Sequence, residues 1–149
     1  MIDQSGPHPA QMQVRNTWQQ LRLYPRWVKM TLAVYAVAFA IGTTTHLIAD
    51  IQGWWFAHHP LINGYWASLT FFDPLAVFLL VRFPKAGLLL AVTIMLTDVG
   101  INSLATYLYF DTDGNYAVNY ALQLQTAFLG FVLGSAPFLW VQFSGKNAA

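Results

Sequence analysis

The sequence predicts an all-α integral membrane protein built as a four-transmembrane-helix bundle, and three observations carry that prediction. Of 149 residues, 56% are hydrophobic, 16% aromatic and only 9% charged, whereas soluble domains carry roughly 25% charged residues. Four apolar stretches are each long enough to cross a bilayer core about 30 Å thick, which takes roughly 20 residues of helix. Six of the seven Lys and Arg side chains fall outside those stretches, and the seventh, Lys29, stands at the very start of the first. A soluble helical bundle would repeat polar faces every 3.6 residues. Stretches such as GLLLAVTIML and DPLAVFLLV have almost no polar face.

In chain order, residues 1–27 form an N-terminal segment without the apolar core and small-residue cleavage site of a signal peptide, so it is expected to be retained. Within it, Val14, Trp18 and Leu21 recur at i, i+4, i+7, the pattern of a short helix lying on the membrane surface. The transmembrane domain, 28–141, divides into spans of about 28–49, 62–81, 86–109 and 117–141, and 142–149 form a tail. The second span closes on Arg82 and Pro84, where the missing N–H and fixed φ of proline end a helix or start the next. The loop DIQGWWFAHHPLING, with Gly53, Pro60 and Gly64 as punctuation, is expected in the interface rather than extended into water.

Charge placement orients the bundle. Arg22 and Arg26 precede span one and Lys29 stands at its start, Arg82 and Lys85 lie between spans two and three, and Lys146 follows span four, while the other two loops carry no Lys or Arg. The positive-inside rule then puts the N-terminus, the C-terminus and the 82–85 turn in the cytoplasm. Trp27 and Trp140 fall at the inner boundary, and Trp54 and Trp55 at the outer one, where an indole keeps its ring in lipid and its N–H wet. The expected location is a bacterial-type inner or plasma membrane.

Ionisable groups inside a bilayer are costly and usually functional. Asp73 lies nine residues before Arg82, about 13 Å along the helix and near the midplane. Asp98 follows Lys85 by thirteen residues, about 20 Å, in the outer half. His46 falls near the outer boundary. Asp98 and Asn102 share a helical face at i, i+4, as do Asn119 and Gln123 on span four. Thr43, Thr44 and Thr45 reach the same depth on span one, and Tyr65, Trp66 and Thr70 on span two. The expectation is a cavity in the non-cytoplasmic half, with Asp73 as its floor and Asp98, Asn102, His46, Trp66, Thr70, Asn119 and Gln123 as further ligand or proton sites. Pro74 is expected to kink span two beside Asp73, with Thr70 or a water satisfying the carbonyl it frees.

Other strings carry less. FDTDGNY lacks the first and twelfth ligands of an EF-hand loop, where Tyr109 and Tyr120 stand. His58-His59 has no supporting ligand spacing, so no metal site is expected. The absence of cysteine excludes disulfides, thiolate ligands and c-type haem attachment, and no cofactor is expected. No motif points to nucleic acid. Gly130 and Gly134 form a GxxxG string, expected to serve a close helix contact inside the bundle or in a homo-oligomer.

These features suit a protein that binds or transports a small hydrophobic, amphipathic or cationic ligand, or protons, with Asp73 and Asp98 as the key groups. An accessory subunit of a larger membrane complex, and a lipid- or sterol-modifying enzyme using Asp73, Asp98 and His46 as acid and base, are the alternatives. Four spans, the His46 and Asp50 pair ending span one and the Asp73-Pro74-Leu75 string resemble the emopamil-binding-protein group of sterol isomerases. That group depends on membrane-embedded glutamates, and this chain contains no glutamate, so the resemblance supplies only a model for the enzyme alternative.

Overall fold

A computed structural model of the chain describes residues 24–53, 59–110 and 120–145. The surface helix expected over 10–24, the DTDGN turn, Asn119 and most of the loop after Gly53 lie outside the described residues. Four helices follow one another: α1 (Arg26–Gln52), α2 (Pro60–Arg82), α3 (Pro84–Ala105) and α4 (Tyr120–Gly145). Each is long and apolar enough to cross a membrane. No strand is present among the described residues.

Local chemistry sets the helix ends. α1 stops at Gly53, whose φ of 66° is the left-handed conformation that glycine adopts without a Cβ clash. α2 begins with Pro60 in its first turn, and the preceding His59 accepts the Leu61 N–H on Nδ1 at 3.3 Å. Between α2 and α3 stands a single residue, Phe83. Its N–H closes α2 on the Leu79 carbonyl at 2.7 Å, its carbonyl accepts from Gly87 at 3.0 Å, and Pro84 opens α3. So short a joint forces the two helices together at once, and a Cβ at Gly87 would run into the backbone of Leu79 and Leu80. α3 leaves its regular winding at Thr106 and finishes as a π-helical turn, Thr106–Phe110.

The helices pack in a ring, α1 on α2, α2 on α3, α3 on α4, with α4 returning to α1. In lipid, burial of apolar side chains does not itself drive helices together; close packing and interhelical hydrogen bonds do. At one end Tyr24 meets Phe143 edge-on at 5.6 Å between ring centres, and the Lys85 ammonium lies over the Trp140 ring at 5.5 Å. Arg26, Arg82 and Lys85 thus gather at one end of the bundle, here termed the basic end. Burial there pushes the Tyr24 phenol above its ordinary range, so the ring stays neutral.

α1 and α4 are joined by aromatic side chains over their basic-end halves. Tyr35 touches Phe128 and Phe131 edge-on, each at 5.9 Å, and Phe39 meets Phe128 at 6.0 Å. The Tyr35 hydroxyl lies 2.9 Å from Ser135 Oγ and donates toward the Val132 carbonyl at 3.2 Å. Burial follows the same division. The buried residues of α1 are Val28, Tyr35 and Phe39, and those of α4 are Val132, Leu139 and Phe143. Towards the opposite end neither helix buries a described residue, while α2 and α3 still bury Leu69, Asp73, Asp98 and Ala105. α1 and α4 therefore close on each other only in the basic-end half.

α1 and α2 exceed the expected spans at both ends, α3 begins two residues earlier and α4 ends four residues later than expected, and one difference matters: α1 runs to Gln52, so Asp50 belongs to the helix rather than to the loop. α2 continues through Pro74, which faces outward. Gly130 and Gly134 are exposed, and a Cβ on either would meet nothing within 4 Å. Of the two contacts expected for this string, the one inside the bundle is not formed.

Replacing Gly87 with Val should lower stability by about 2 kcal/mol, in the range for overpacked sites. Gly100→Ala, whose Cβ would meet open space, should leave it unchanged or raise it by up to about 1 kcal/mol. Thermal unfolding of both variants in detergent measures the difference.

Candidate functional site

Asp73 and Asp98 are both buried, 3% and 7% exposed, and each lies within electrostatic reach of the other. They come from neighbouring helices, α2 and α3, and their surroundings differ sharply.

Asp98 belongs to a hydrogen-bonded chain. The Trp66 indole N–H donates to Asn102 Oδ1 at 2.6 Å, and Asn102 Nδ2 donates to Asp98 Oδ1 and to Gln125 Oε1, both at 2.9 Å. An indole N–H can only donate, which fixes the Asn102 amide with its oxygen towards α2 and its two hydrogens towards Asp98 and α4. One asparagine thereby ties three helices. The i, i+4 spacing on α3 is what places Asp98 and Asn102 on the same face.

Asp73 has no hydrogen-bond partner among the described residues. Its carboxylate faces α1 at Gly42, where a Cβ would lie 2.6 Å from Oδ2. Only a glycine leaves room there, so a buried acid rests against the one position of α1 that offers it space. Tyr65 stands close enough to feel the charge of both carboxylates. The Thr97 hydroxyl donates back to its own helix, to the carbonyls of Thr93 and Ile94 at 2.9 and 3.0 Å, so the 2.9 Å bond between Tyr65 and Thr97 has the tyrosine as donor.

A third carboxylate joins from α1. Asp50 Oδ2 accepts the Thr70 hydroxyl at 2.9 Å, and His46, one turn earlier on α1, lies within its field. Thr70 therefore does not return its hydroxyl to its own backbone beside Pro74. Thr43, Thr44 and Thr45 do bond their own helix, at Phe39, Ala40 and Gly42, each at 2.8 Å. Their hydroxyl hydrogens are spent locally and are not offered to a ligand.

No arginine or lysine stands between residues 30 and 81 or between 86 and 145. Three acids at mid-bundle or beyond thus lie where no span carries a Lys or Arg, and His46 is the basic group among the described residues whose field Asp50 shares. Of the residues the sequence points to, Asp73, Asp98, Asn102 and Trp66 lie together, while His46 and Thr70 form the neighbouring group with Asp50. Trp66 turns to α3 whereas Thr70 and Asp73 turn to α1, so their shared helical face spans two neighbours. Gln123 is exposed, and Gln125, two positions on, is the α4 amide that enters the chain of bonds. Sequence reasoning passed over Gly42 and Gln125. A lone glycine in an apolar span is the usual mark of close approach, but the partner side chain that needs it cannot be read from α1 alone.

Asn102→Leu should cost about 2 kcal/mol, two interhelical bonds at roughly 0.6 kcal/mol each and the bond to Asp98 within α3 at about 1 kcal/mol, and Trp66→Phe about 0.6 kcal/mol. In a double-mutant cycle followed by denaturation in mixed micelles, Trp66→Phe should add little once Asn102 is gone, within about 0.5 kcal/mol.

Comparison of the chain with protein-family models, with curated proteins and with solved structures finds no match.

Proposed function

We propose that this multi-pass membrane protein binds or transports a small cationic or amphipathic ligand, or protons, at Asp73 and Asp98, in the half of the bundle away from the cytoplasm. The observation that carries the reading is Asp73: a buried carboxylate with no hydrogen-bond partner among the described residues, beside a second buried carboxylate, in a chain with no Lys or Arg between residues 30 and 81 or between 86 and 145. Interhelical adhesion accounts for Asn102, Trp66 and Gln125, whose polar groups satisfy each other. It does not account for Asp73, because an acid that holds no neighbour adds only the cost of its own burial. A bound cation or proton offsets that cost.

The burial pattern supports the same half of the bundle. Towards the end opposite the basic one, α1 and α4 bury nothing among the described residues, so the carboxylates are approached from there. Orientation follows from the positive-inside rule, with the basic end in the cytoplasm. Asn102 holds Asp98 in one orientation; Gly42 provides the space in which the Asp73 carboxylate meets a ligand.

Wild-type protein reconstituted in vesicles should bind tetraphenylphosphonium or conduct protons, followed by equilibrium dialysis and by an entrapped pH-sensitive dye. Asp73→Asn and Asp98→Asn should each reduce the response at least about tenfold, equivalent to about 1.4 kcal/mol. Gly42→Val, which keeps both charges but pushes the Asp73 carboxylate aside, should also weaken it. An unchanged response in the doubly substituted, correctly folded protein would remove the proposal.

A further inference from the structure

Resting on that reading, we infer that the ligand is a membrane-dissolved amphiphile with a single cationic head, and that it enters sideways from the bilayer through the opening between α1 and α4. The lower edge of the opening is the Phe39–Phe128 contact, at 6.0 Å between ring centres. Below it the Tyr35, Phe128 and Phe131 rings and the Tyr35 hydroxyl bonds join the two helices. Beyond it no described residue of either helix is buried: on α1 Gly42, Thr43, His46 and Asp50 are half-exposed, and on α4 so are Leu122 and Gln125. In a membrane, half-exposed side chains at this depth face acyl chains.

What lies behind the opening selects the occupant. Asp73 reaches across to Gly42 on α1, the first half-exposed turn past Phe39, so its carboxylate stands at the inner wall of the cleft. Asp98 adds a second negative charge behind it. With no Lys or Arg between residues 30 and 81 or between 86 and 145 to pair with them, the complement is a positive charge that arrives with the ligand. Leu122 and the Phe128 ring, both half-exposed on α4, suit an alkyl tail, and the Thr43 hydroxyl is turned to its own backbone. A head that is cationic and a tail that stays in lipid match both parts. A small hydrophilic cation would match only the first.

The chain has no native cysteine, so an engineered pair across the opening reports without background. Thr43→Cys with Leu122→Cys, bridged by bifunctional thiol reagents of increasing length in reconstituted vesicles, ties α1 to α4 beyond the Phe39–Phe128 contact. Radiolabelled dodecyltrimethylammonium, pre-dissolved in the vesicle lipid, is the probe, and tetramethylammonium in the aqueous phase is the comparison. The unbridged variant should bind the dodecyl probe at least about tenfold more tightly than tetramethylammonium, and bridging should slow its association at least about tenfold. Equal binding of the two cations, or association of the dodecyl probe unaffected by bridging, overturns the lateral route. Those results are separate from failure of the carboxylate site itself, in which Asp73→Asn would leave dodecyl probe binding unchanged in the unbridged protein.

Discussion

Two carboxylates are buried side by side in a bundle whose basic residues are confined to the ends of its helices, and much of the arrangement around them follows from that condition. Removing an unpaired charge from water costs several kcal/mol unless something compensates. For Asp98 the compensation is internal, through the Asn102 amide and, behind it, Trp66 and Gln125. For Asp73 none is found among the described residues. The helices that carry the acids, α2 and α3, are also those that remain buried along most of their length, so the charges sit on the best-supported part of the molecule.

The ring of helices is correspondingly uneven. α2 and α3 are clamped by a one-residue joint at Phe83 and by the contact that Gly87 permits with Leu79 and Leu80. α1 and α4 are held to each other by aromatic edges and by a single tyrosine hydroxyl. In lipid, where hydrophobic burial contributes little to helix association, this difference in packing is a difference in strength. The weaker seam is the one that faces Asp73.

Much of this was legible in sequence. Span length and charge avoidance identify four helices, because a bilayer imposes its thickness on any chain that crosses it, and Pro84 and Gly53 mark ends that proline and glycine fix by their own geometry. The i, i+4 spacing of Asp98 and Asn102 placed them together correctly. What the sequence could not provide is azimuth across helices. Gln123 and Gln125 are equally polar and lie 200° apart on one helix, and only the docking of α4 decides which turns inward. Gly42 is silent for the same reason, since its meaning lies in a side chain on another helix. The outward position of Gly130 and Gly134 likewise depends on rotation of α4, which a motif of two glycines does not specify.

The joint at Phe83 has a mechanical consequence. With no slack between α2 and α3, and a glycine-to-backbone contact one turn above the joint, that hairpin behaves as a fixed post. Under the proposed function, any rearrangement on ligand binding would fall to the two outer helices, α1 and α4, rather than to this hairpin. The fixed hairpin that carries the carboxylates would then set affinity, and the two outer helices would set rate.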